Sequence, residues 1–283
     1  MKKNRNNRLV SHRTVDIAQR LDESIRFVRS RTKLRPKIAI ILGSGLGNLA
    51  DALTGQQIID STTIPHYPGP TIAGHPGKLV FGNLQRVPVL AVQGRIHFYE
   101  TGNLEAILYP IHVVHSLGIR ILIVTNAAGG VDEKFQAGDL MIITDQINLT
   151  FEKTLFHRHS LVRTHELYDS ELQRIILDAA TKTNIPVQQG IYCGVKGPSY
   201  ETASEIEMIR RIGGDAVGMS TVNEVSLAHA LGMRVAGISC ITNLATGISP
   251  EELTHGEVTE VASRVRVKFT ELITEIVGRI TVE

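Results

Sequence analysis

The chain has 283 residues, enough to bury a large core, and its composition shows no break that would separate two domains. Hydrophobic residues make up 42% and charged residues 20%, which is ordinary for a globular protein. The formal charge of +2 is too small to indicate a nucleic acid or a membrane surface as a partner, and we find no apolar run long enough to span a bilayer.

The amino terminus carries a basic cluster, formed by Lys2, Lys3, Arg5, Arg8 and Arg13. No apolar run follows it, so we do not expect a secretory signal. We expect residues 1–13 to form a flexible tail on a single domain that spans 1–283. The two cysteines, Cys193 and Cys240, lie in apolar stretches without the spacing of a disulfide framework or a metal site, which indicates reduced thiols in a cytoplasmic protein.

Short apolar runs bounded by Gly or Pro predict the strands. Their length and β-branched content favour strands over buried helices. The predicted strands cover residues 38–42, 87–92, 121–125, 140–143, 190–195 and 235–241.

Helices are predicted between these strands. Apolar residues share one helical face over 104–114, with Gly118 as the stop, and a second apolar stripe runs over 258–276. Three pairs of residues have the spacing of a capping box, at which a helix should begin: Ser170 with Gln173, Thr202 with Glu205, and Thr254 with Glu257.

Strands that alternate with helices imply a sheet covered on both faces. Ligands of such sheets collect at the loops that follow the carboxyl ends of the strands. Four segments with chemically useful residues lie at such positions, namely 43–47, 94–99, 126–130 and 242–243. We therefore expect one site at this edge of the sheet.

A glycine loop, Gly43-Ser44-Gly45-Leu46-Gly47, follows the first predicted strand. Its glycines let backbone amides converge on an anion, and Ser44 adds a hydroxyl. A dinucleotide-binding turn would need glycine at position 48, which is Asn48, and no Gly-Lys-Ser/Thr follows to make a P-loop. A phosphate site and a tight structural turn both stay open for this loop.

Arg95 and His97 follow the next predicted strand at alternating positions, so both side chains can face the same side. An arginine fork suits a phosphate dianion, and a nearby histidine can donate a further hydrogen bond. The alternative is a solvated charged loop. His75 lies in a Gly-His-Pro turn, where a lone histidine more often faces solvent than takes part in catalysis.

Towards the carboxyl terminus, five more residues offer groups suited to a purine or a sugar. Tyr200 provides a ring for stacking, and Glu201 places a carboxylate beside a helix amino terminus, where it can equally compensate the helix dipole. Ser220 follows a short buried strand and can bind an anion, while Met219 can pack on a sugar or in the core. Asn243 has the donor and acceptor that a purine edge requires, or is a turn-forming asparagine.

Together these segments resemble the trimeric class of purine nucleoside phosphorylases, over residues 38–265. The motifs that carry the resemblance are Gly43-Ser44-Gly45-Leu46-Gly47, Gly94-Arg95 with His97 and Tyr99, Thr125-Asn126-Ala127-Ala128-Gly129, Gly197-Pro198-Ser199-Tyr200-Glu201-Thr202 and Val217-Gly218-Met219-Ser220-Thr221. The resemblance implies a single three-layer α/β/α domain around a central mixed, twisted sheet, assembled as a homotrimer with sites near the subunit interfaces.

The resemblance also implies roles for individual residues. Phosphate would be held by Ser44, Arg95, His97, the Ala127 amide and Ser220, with His75 beside it. The ribose would lie against Tyr99, Met219 and His255, and the base against Ala128, Tyr200, Glu201, Val217, Gly218 and Asn243. The catalytic groups would be His97, Glu201 and Asn243.

The implied reaction is phosphorolysis of inosine and guanosine to the free base and a pentose 1-phosphate. Phosphate is then a substrate, and no metal or organic cofactor is expected. Alternatives are a sister phosphorylase for xanthosine or methylthioadenosine, and a nucleoside-binding relative with weakened catalysis. A nicotinamide dehydrogenase is disfavoured by Asn48.

One segment departs from the family. Relatives have a loop rich in Gly, Asn and Pro, with a phenylalanine that reaches into the neighbouring subunit's site, whereas residues 151–160 lack that pattern. One alternative is that Phe151 or Phe156 replaces the missing aromatic and reaches the neighbouring site. We expect a mobile loop that leaves the site open on this side, and therefore weaker nucleoside binding.

Overall fold

The structure is a computed structural model that describes residues 5–69, 77–152, 166–248 and 255–281; the side chains of 5–16, 255–259 and 262–263 are not described. The helices are α1 (Arg5–Arg31), α2 (Phe98–Thr101), α3 (Leu104–Ser116), α4 (Ser170–Thr183), α5 (Ala203–Arg211), α6 (Val222–Ala230) and α7 (His255–Arg279). The strands are β1 (Ile38–Leu42), β2 (Thr54–Asp60), β3 (Lys78–Leu84), β4 (Val87–Gln93), β5 (Ile121–Gly130), β6 (Leu140–Asn148), β7 (Val187–Gly194), β8 (Ala216–Gly218) and β9 (Arg234–Leu244).

Within the described residues, nine strands form one sheet in the order β2-β3-β4-β1-β5-β8-β7-β6-β9. β5 also pairs with β9, so the five strands from β5 to β9 close into a ring. β1 is parallel to β4 and β5, whereas β3 is antiparallel to β2 and β4. The expected mixed central sheet is thereby confirmed.

Helices cover both faces of the sheet, as β1 makes clear. Its five residues are all buried, and alternate side chains enter two different apolar clusters. Ile38, Ile40 and Leu42 belong to a cluster with α4 and α7, whereas Ala39 and Ile41 belong to one with α1, α3 and α6. A strand buried on both faces reads as a continuous apolar run, which is why it was recognisable in the sequence.

Two strands were missed by the sequence analysis. β2 is a mostly exposed edge strand of sequence TGQQIID and lacks the apolar run that marks a buried strand. β3 and β4 form a hairpin whose two turn residues, Gln85 and Arg86, both have positive φ. Such a turn usually contains Asn-Gly or Asp-Gly, so Gln-Arg gave no hairpin signal.

Part of the expected amino-terminal tail belongs to a helix. α1 begins at Arg5, so residues 5–13 are helical, while residues 1–4 lie outside the described part of the chain. The sequence from 5 to 31 contains no glycine or proline, so nothing in it interrupts a helix. From residue 17 on, α1 is anchored at Ser24, whose hydroxyl lies 2.8 Å from the Tyr109 hydroxyl of α3.

The helix starts agree in part with the capping-box predictions. Thr202 caps α5 and bonds reciprocally with Glu205, as predicted. The cap of α4 is Asp169 rather than Ser170, because the Asp169 carboxylate accepts the hydrogen bond from the Leu172 amide. Thr254 lies outside the described residues, immediately before the start of α7.

Both cysteines are buried free thiols, and burial raises the pKa of each to about 12. Among the described helices, none combines the length and apolar character needed to cross a membrane.

Candidate active site

The polar segments meet where parallel strands end. β4, β1, β5 and β9 are consecutive parallel neighbours, so their carboxyl ends lie at the same edge of the sheet. Leu42 is in register with Gln93, and Ile41 is in register with Val124. The residues that follow these strand positions are therefore adjacent in space, as predicted.

The glycine loop lies directly against β5. A Cβ atom at Gly43 would be 2.6 Å from the Asn126 Cα and 2.8 Å from the Thr125 carbonyl oxygen, so only glycine allows this approach. The Gly43 amide donates to the Thr125 hydroxyl at 3.1 Å, and Gln93 donates from Nε2 to the Gly47 carbonyl at 2.8 Å. Both ends of the loop that carries Ser44 are thus tied to neighbouring strands.

Arg95 is buried, with 4% of its side chain exposed. Its Nε donates to Glu224 Oε1 at 3.1 Å, and its Nη1 donates to the Thr125 carbonyl at 2.9 Å and to the Ser220 hydroxyl at 3.3 Å. Nη2 is buried without a hydrogen-bond partner. A buried donor of this kind loses free energy unless a ligand accepts from it, so the guanidinium is arranged to receive an anion.

His97 is oriented by Glu100. The Glu100 Oε1 lies 2.8 Å from His97 Nδ1 and accepts the His97 backbone N–H at 2.7 Å. The imidazole also stacks on Tyr99, with ring centroids 5.1 Å apart and planes 11° from parallel. Burial raises the pKa of the Tyr99 phenol. This contact fixes His97 and Tyr99 as one unit on the wall of the site.

Ser220 lies on a tight turn between β8 and α6. The next residue, Thr221, has a φ of 76°, which is unusual for a β-branched side chain. The Thr221 amide donates to Glu224 Oε2 at 2.9 Å, and Asn126 donates from Nδ2 to the Thr221 hydroxyl at 2.9 Å. The turn that presents Ser220 is therefore held by buried polar contacts from α6 and β5.

Asn243, on β9, lies at the other end of the site. Its Oδ1 accepts from the Thr242 hydroxyl at 2.9 Å, and its Nδ2 donates to the Leu244 carbonyl at 3.1 Å. An amide has two donors and two acceptor positions, so these bonds orient Asn243 and leave it capacity to bind a ligand through both atoms. Gly129 lets β5 approach this amide, because a Cβ there would be 3.3 Å from Nδ2.

The segment 197–201 forms a second wall near Asn243. Gly197 has a φ of 66°, and a Cβ there would lie 2.3 Å from the Met219 sulfur and 3.1 Å from Tyr99 Cδ1. Tyr200 is 45% exposed, whereas Glu201 is half-buried, and burial raises the pKa of the Glu201 carboxyl. The carboxyl is thus partly removed from water before any ligand arrives.

These groups line a single cavity of about 350 Å³, a volume ordinary for a small-molecule site. The predicted residues that line it are Ser44, Arg95, His97, Tyr99, Ala127, Ala128, Tyr200, Glu201, Val217, Gly218, Met219, Ser220 and Asn243. His75 and Phe156 lie outside the described residues, and His255 begins α7 but its side chain is not described. Phe151 is described, does not line the cavity and is 82% exposed.

Several residues that build this cavity had no role predicted from the sequence. Asn126, Gly129, Pro198, Thr242 and Ala245 also line it. Of these, Asn126 was read as part of a loop after the strand, whereas β5 continues to Gly130 because β8 and β9 pair with that extension.

Two carboxylates that do not line the cavity hold residues that do: Glu100 contacts His97, and Glu224 contacts Arg95. Each stands three residues after a helix cap, at positions 97 and 221, and that spacing is a signal that could have found them. Across the described part of the chain, no group of His, Cys, Asp and Glu side chains is arranged to hold a metal ion.

Comparison with known proteins identifies the family of the chain. A family model described as "Phosphorylase superfamily" matches residues 37–278. The chain is 45% identical to purine nucleoside phosphorylase 1 of Bacillus subtilis, covering 92% of this chain and 98% of the relative.

Solved structures agree as well. A schistosomal purine nucleoside phosphorylase in complex with hypoxanthine superposes with a TM-score of 0.86 at 31% identity, covering 93% of this chain and 98% of that one. The Schistosoma mansoni enzyme in complex with inosine gives a TM-score of 0.85 at 30% identity, covering 94% and 98%. The chain therefore belongs to the phosphorylase superfamily, among the purine nucleoside phosphorylases.

Proposed function

We propose that this chain catalyses phosphorolysis of purine nucleosides, with inosine and guanosine preferred. The observation that carries the proposal is one cavity with two chemically different ends. One end has a buried arginine nitrogen without a partner, and the other has an amide and a half-buried carboxyl. An anion and a purine can occupy the two ends together, on either side of a sugar.

The phosphate is assigned to the end that contains Arg95. Arg95, Ser44, Ser220 and His97 all line the cavity, Arg95 Nη2 is buried without a hydrogen-bond partner, and the Ala127 backbone amide is assigned the same role. His75, which lies outside the described residues, is assigned a place beside the phosphate by resemblance alone. The contact of Arg95 with Ser220 supports the assignment, since it places a positive charge and a hydroxyl at hydrogen-bonding distance from one another.

The ribose is assigned to the middle of the cavity, against Tyr99 and Met219. The close approach of both side chains to Gly197 supports this, because it brings a thioether and an aromatic ring together in the lining of the cavity. His255 is assigned to the ribose hydroxyl at C5′ by resemblance.

The purine is assigned to the end lined by Ala128, Tyr200, Glu201, Val217, Gly218 and Asn243. Cleavage of the bond from the anomeric carbon to the base leaves a cationic sugar and an electron-rich purine, and both charges need stabilisation. Phosphate supports the cation and attacks it, while Asn243 donates to the departing purine and Glu201 accepts from a protonated ring nitrogen. The proposed reaction uses inorganic phosphate as a substrate and needs no metal or organic cofactor.

Base preference follows from the Asn243 amide. Its Nδ2 can donate to O6 of a 6-oxopurine, and its Oδ1 can accept from N7 once that nitrogen is protonated in the departing base. A 6-aminopurine protonated at N7 presents two donors instead and leaves the Nδ2 group opposed to its 6-amino group, which disfavours it. The schistosomal relatives are solved in complex with hypoxanthine, inosine and adenosine, so the proposed preference rests on Asn243 alone.

The test is to incubate the protein with inosine, guanosine, adenosine or xanthosine, with and without phosphate, and to follow free base and pentose 1-phosphate. We expect hypoxanthine release from inosine only with phosphate, unaffected by a metal chelator. Release at the same rate without phosphate would indicate hydrolysis and contradict the proposal. Faster turnover of adenosine or xanthosine than of inosine would contradict the base preference.

A homotrimer, a single domain over 1–283 and a cytoplasmic location are part of the proposal. One sheet running through the described residues supports the single domain, and the two buried free thiols suit a reducing compartment. Light scattering on the purified protein should give three times the chain mass, and a monomer or dimer would contradict the trimer.

A further inference from the structure

Glu224 makes two contacts that join separate parts of the cavity wall. Its Oε1 accepts from Arg95 Nε at 3.1 Å, and its Oε2 accepts from the Thr221 amide at 2.9 Å. The Glu224 side chain is 6% exposed, so neither bond competes with bulk water. One carboxylate therefore links the arginine after β4 to the turn that precedes α6.

The contact with Arg95 decides which guanidinium nitrogen is left for a ligand. Nε of Arg95 donates to Glu224, and Nη1 donates to the Thr125 carbonyl and to Ser220. Nη2 is therefore the nitrogen without a hydrogen-bond partner. Rotation of the fork would break the bond to the buried Glu224 carboxylate and leave that charge uncompensated. Glu224 thus holds the guanidinium in one orientation.

The contact with Thr221 holds the turn that carries Ser220. A φ of 76° at a β-branched residue persists only where the surroundings compensate its cost. The Glu224 carboxylate accepts a hydrogen bond from the Thr221 amide, and the Thr221 hydroxyl lies 3.0 Å from the Ser220 hydroxyl. If the turn relaxed, the Ser220 hydroxyl would move relative to Arg95 Nη1.

We propose that Glu224 is a positioning residue for phosphate, which sets the relative placement of Arg95 and Ser220 without touching the ligand. This inference rests on the proposed phosphate site and adds to it the group that organises it. A carboxylate is required because both of its oxygens accept, from two donors that lie in different elements. Glutamine has only one side-chain oxygen, so its NH₂ group would face one of those donors and could not accept from it.

Asp169 supplies a matched control. It also accepts from a helix amide, that of Leu172, and binds an arginine, Arg234, at 2.7 Å and 2.9 Å. The hydrogen bonds from Arg234 hold the pKa of Asp169 below its usual range. Asp169 does not line the cavity, so Asp169→Asn breaks the same kind of contact pair away from the site.

The experiment measures the KM of phosphate at saturating inosine, and the KM of inosine at saturating phosphate, for the wild type and for Glu224→Gln. We expect the phosphate KM to rise roughly ten- to hundred-fold, as for loss of one hydrogen bond to a charged group. The inosine KM should stay within about two-fold, as should both KM values of Asp169→Asn. A phosphate KM for Glu224→Gln within two-fold of the wild-type value would overturn the proposal, as would equal rises in both KM values.

Two further variants keep the result interpretable. If circular dichroism shows that Glu224→Gln does not fold, Glu224→Asp is measured instead. This variant retains the charge but is one methylene too short to keep both contacts. An unchanged phosphate KM for Glu224→Asp would also overturn the proposal. Arg95→Lys tests the site itself, because it keeps the charge and loses the fork. If Arg95→Lys leaves the phosphate KM unchanged, the proposed phosphate site is wrong, whereas an effect of Arg95→Lys without one of Glu224→Gln refutes only the role of Glu224.

Discussion

Buried, mutually bonded side chains form the Arg95 end of the cavity, whereas partly exposed residues form the end at Tyr200 and Glu201. The side chains of Arg95 and Glu224 are 4% and 6% exposed, and the hydrogen bond between them joins the loop after β4 to α6. Tyr200, in contrast, is 45% exposed and lies on the segment between β7 and α5. The difference indicates that the side chains at the Arg95 end belong to the buried core. Substitutions there should therefore affect stability as well as binding.

The largest expected effect is at the buried end. Arg95→Met leaves Glu224 buried without its partner, which should cost about 3–5 kcal/mol in the free energy of unfolding. The double variant Arg95→Met with Glu224→Met removes both charges and should regain most of that loss, because the core then contains no uncompensated ion. Urea unfolding measures both values, and equal stability of the single and double variants would contradict the coupling.

Activity separates function from stability in the same pair. Both variants should lack phosphate-dependent turnover, since neither contains the guanidinium. Recovery of phosphorolysis by the more stable double variant would show that Arg95 serves the fold alone.

The next effect is at the purine end. Asn243→Ala should lower kcat for inosine by roughly one to three orders of magnitude, comparable to the loss of an oxyanion donor, because its hydrogen bonds strengthen as the purine gains charge. The phosphate KM should change little. A near-normal kcat would make Asn243 a structural residue only.

Asn243→Asp is the matched variant. It replaces the donor with a second acceptor and should raise the ratio of adenosine to inosine turnover, and an unchanged ratio would argue against edge recognition.

A smaller effect concerns stability at Glu201. Burial raises the pKa of this carboxyl above its unfolded value, so the ionised group costs stability at neutral pH, and the cost disappears as the pH falls through the folded pKa. Glu201→Gln should therefore raise the melting temperature at pH 7.5 while it lowers inosine turnover. The difference in melting temperature should shrink on acidification, and a lower melting temperature for Glu201→Gln at pH 7.5 would contradict this reading.

The smallest effect is expected at Phe151. This residue is 82% exposed and does not line the cavity, so Phe151→Ala should change the inosine KM by less than about two-fold. A large rise in that KM, with the phosphate KM unaffected, would show that the aromatic ring completes a neighbouring subunit's site. It would also show that the open side expected from the atypical 151–160 segment is wrong.

Local patterns predicted those parts of the fold that carry a signal of their own, either an apolar run or a capping box. β1 and β4 are continuous apolar runs, and α5 begins at a Thr-x-x-Glu box, so each is readable without knowledge of its neighbours. β2 was missed because its residues are mostly exposed, and the end of β5 was misread because Ala, Gly and Asn have no strand preference of their own. That extension exists because β8 and β9 hydrogen-bond to it.

The sequence alone determined the alternation of strands and helices and the placement of glycines, hydroxyls and ionisable groups just after strands, because burial period and turn chemistry are local properties. Only the tertiary structure decided which of these groups meet. Arg95 and Glu224 are 129 positions apart, and Asn126 is 95 positions from Thr221. A hydrogen bond between such residues leaves no periodic trace in the chain, since it depends on how parallel strands and the helices after them are brought together.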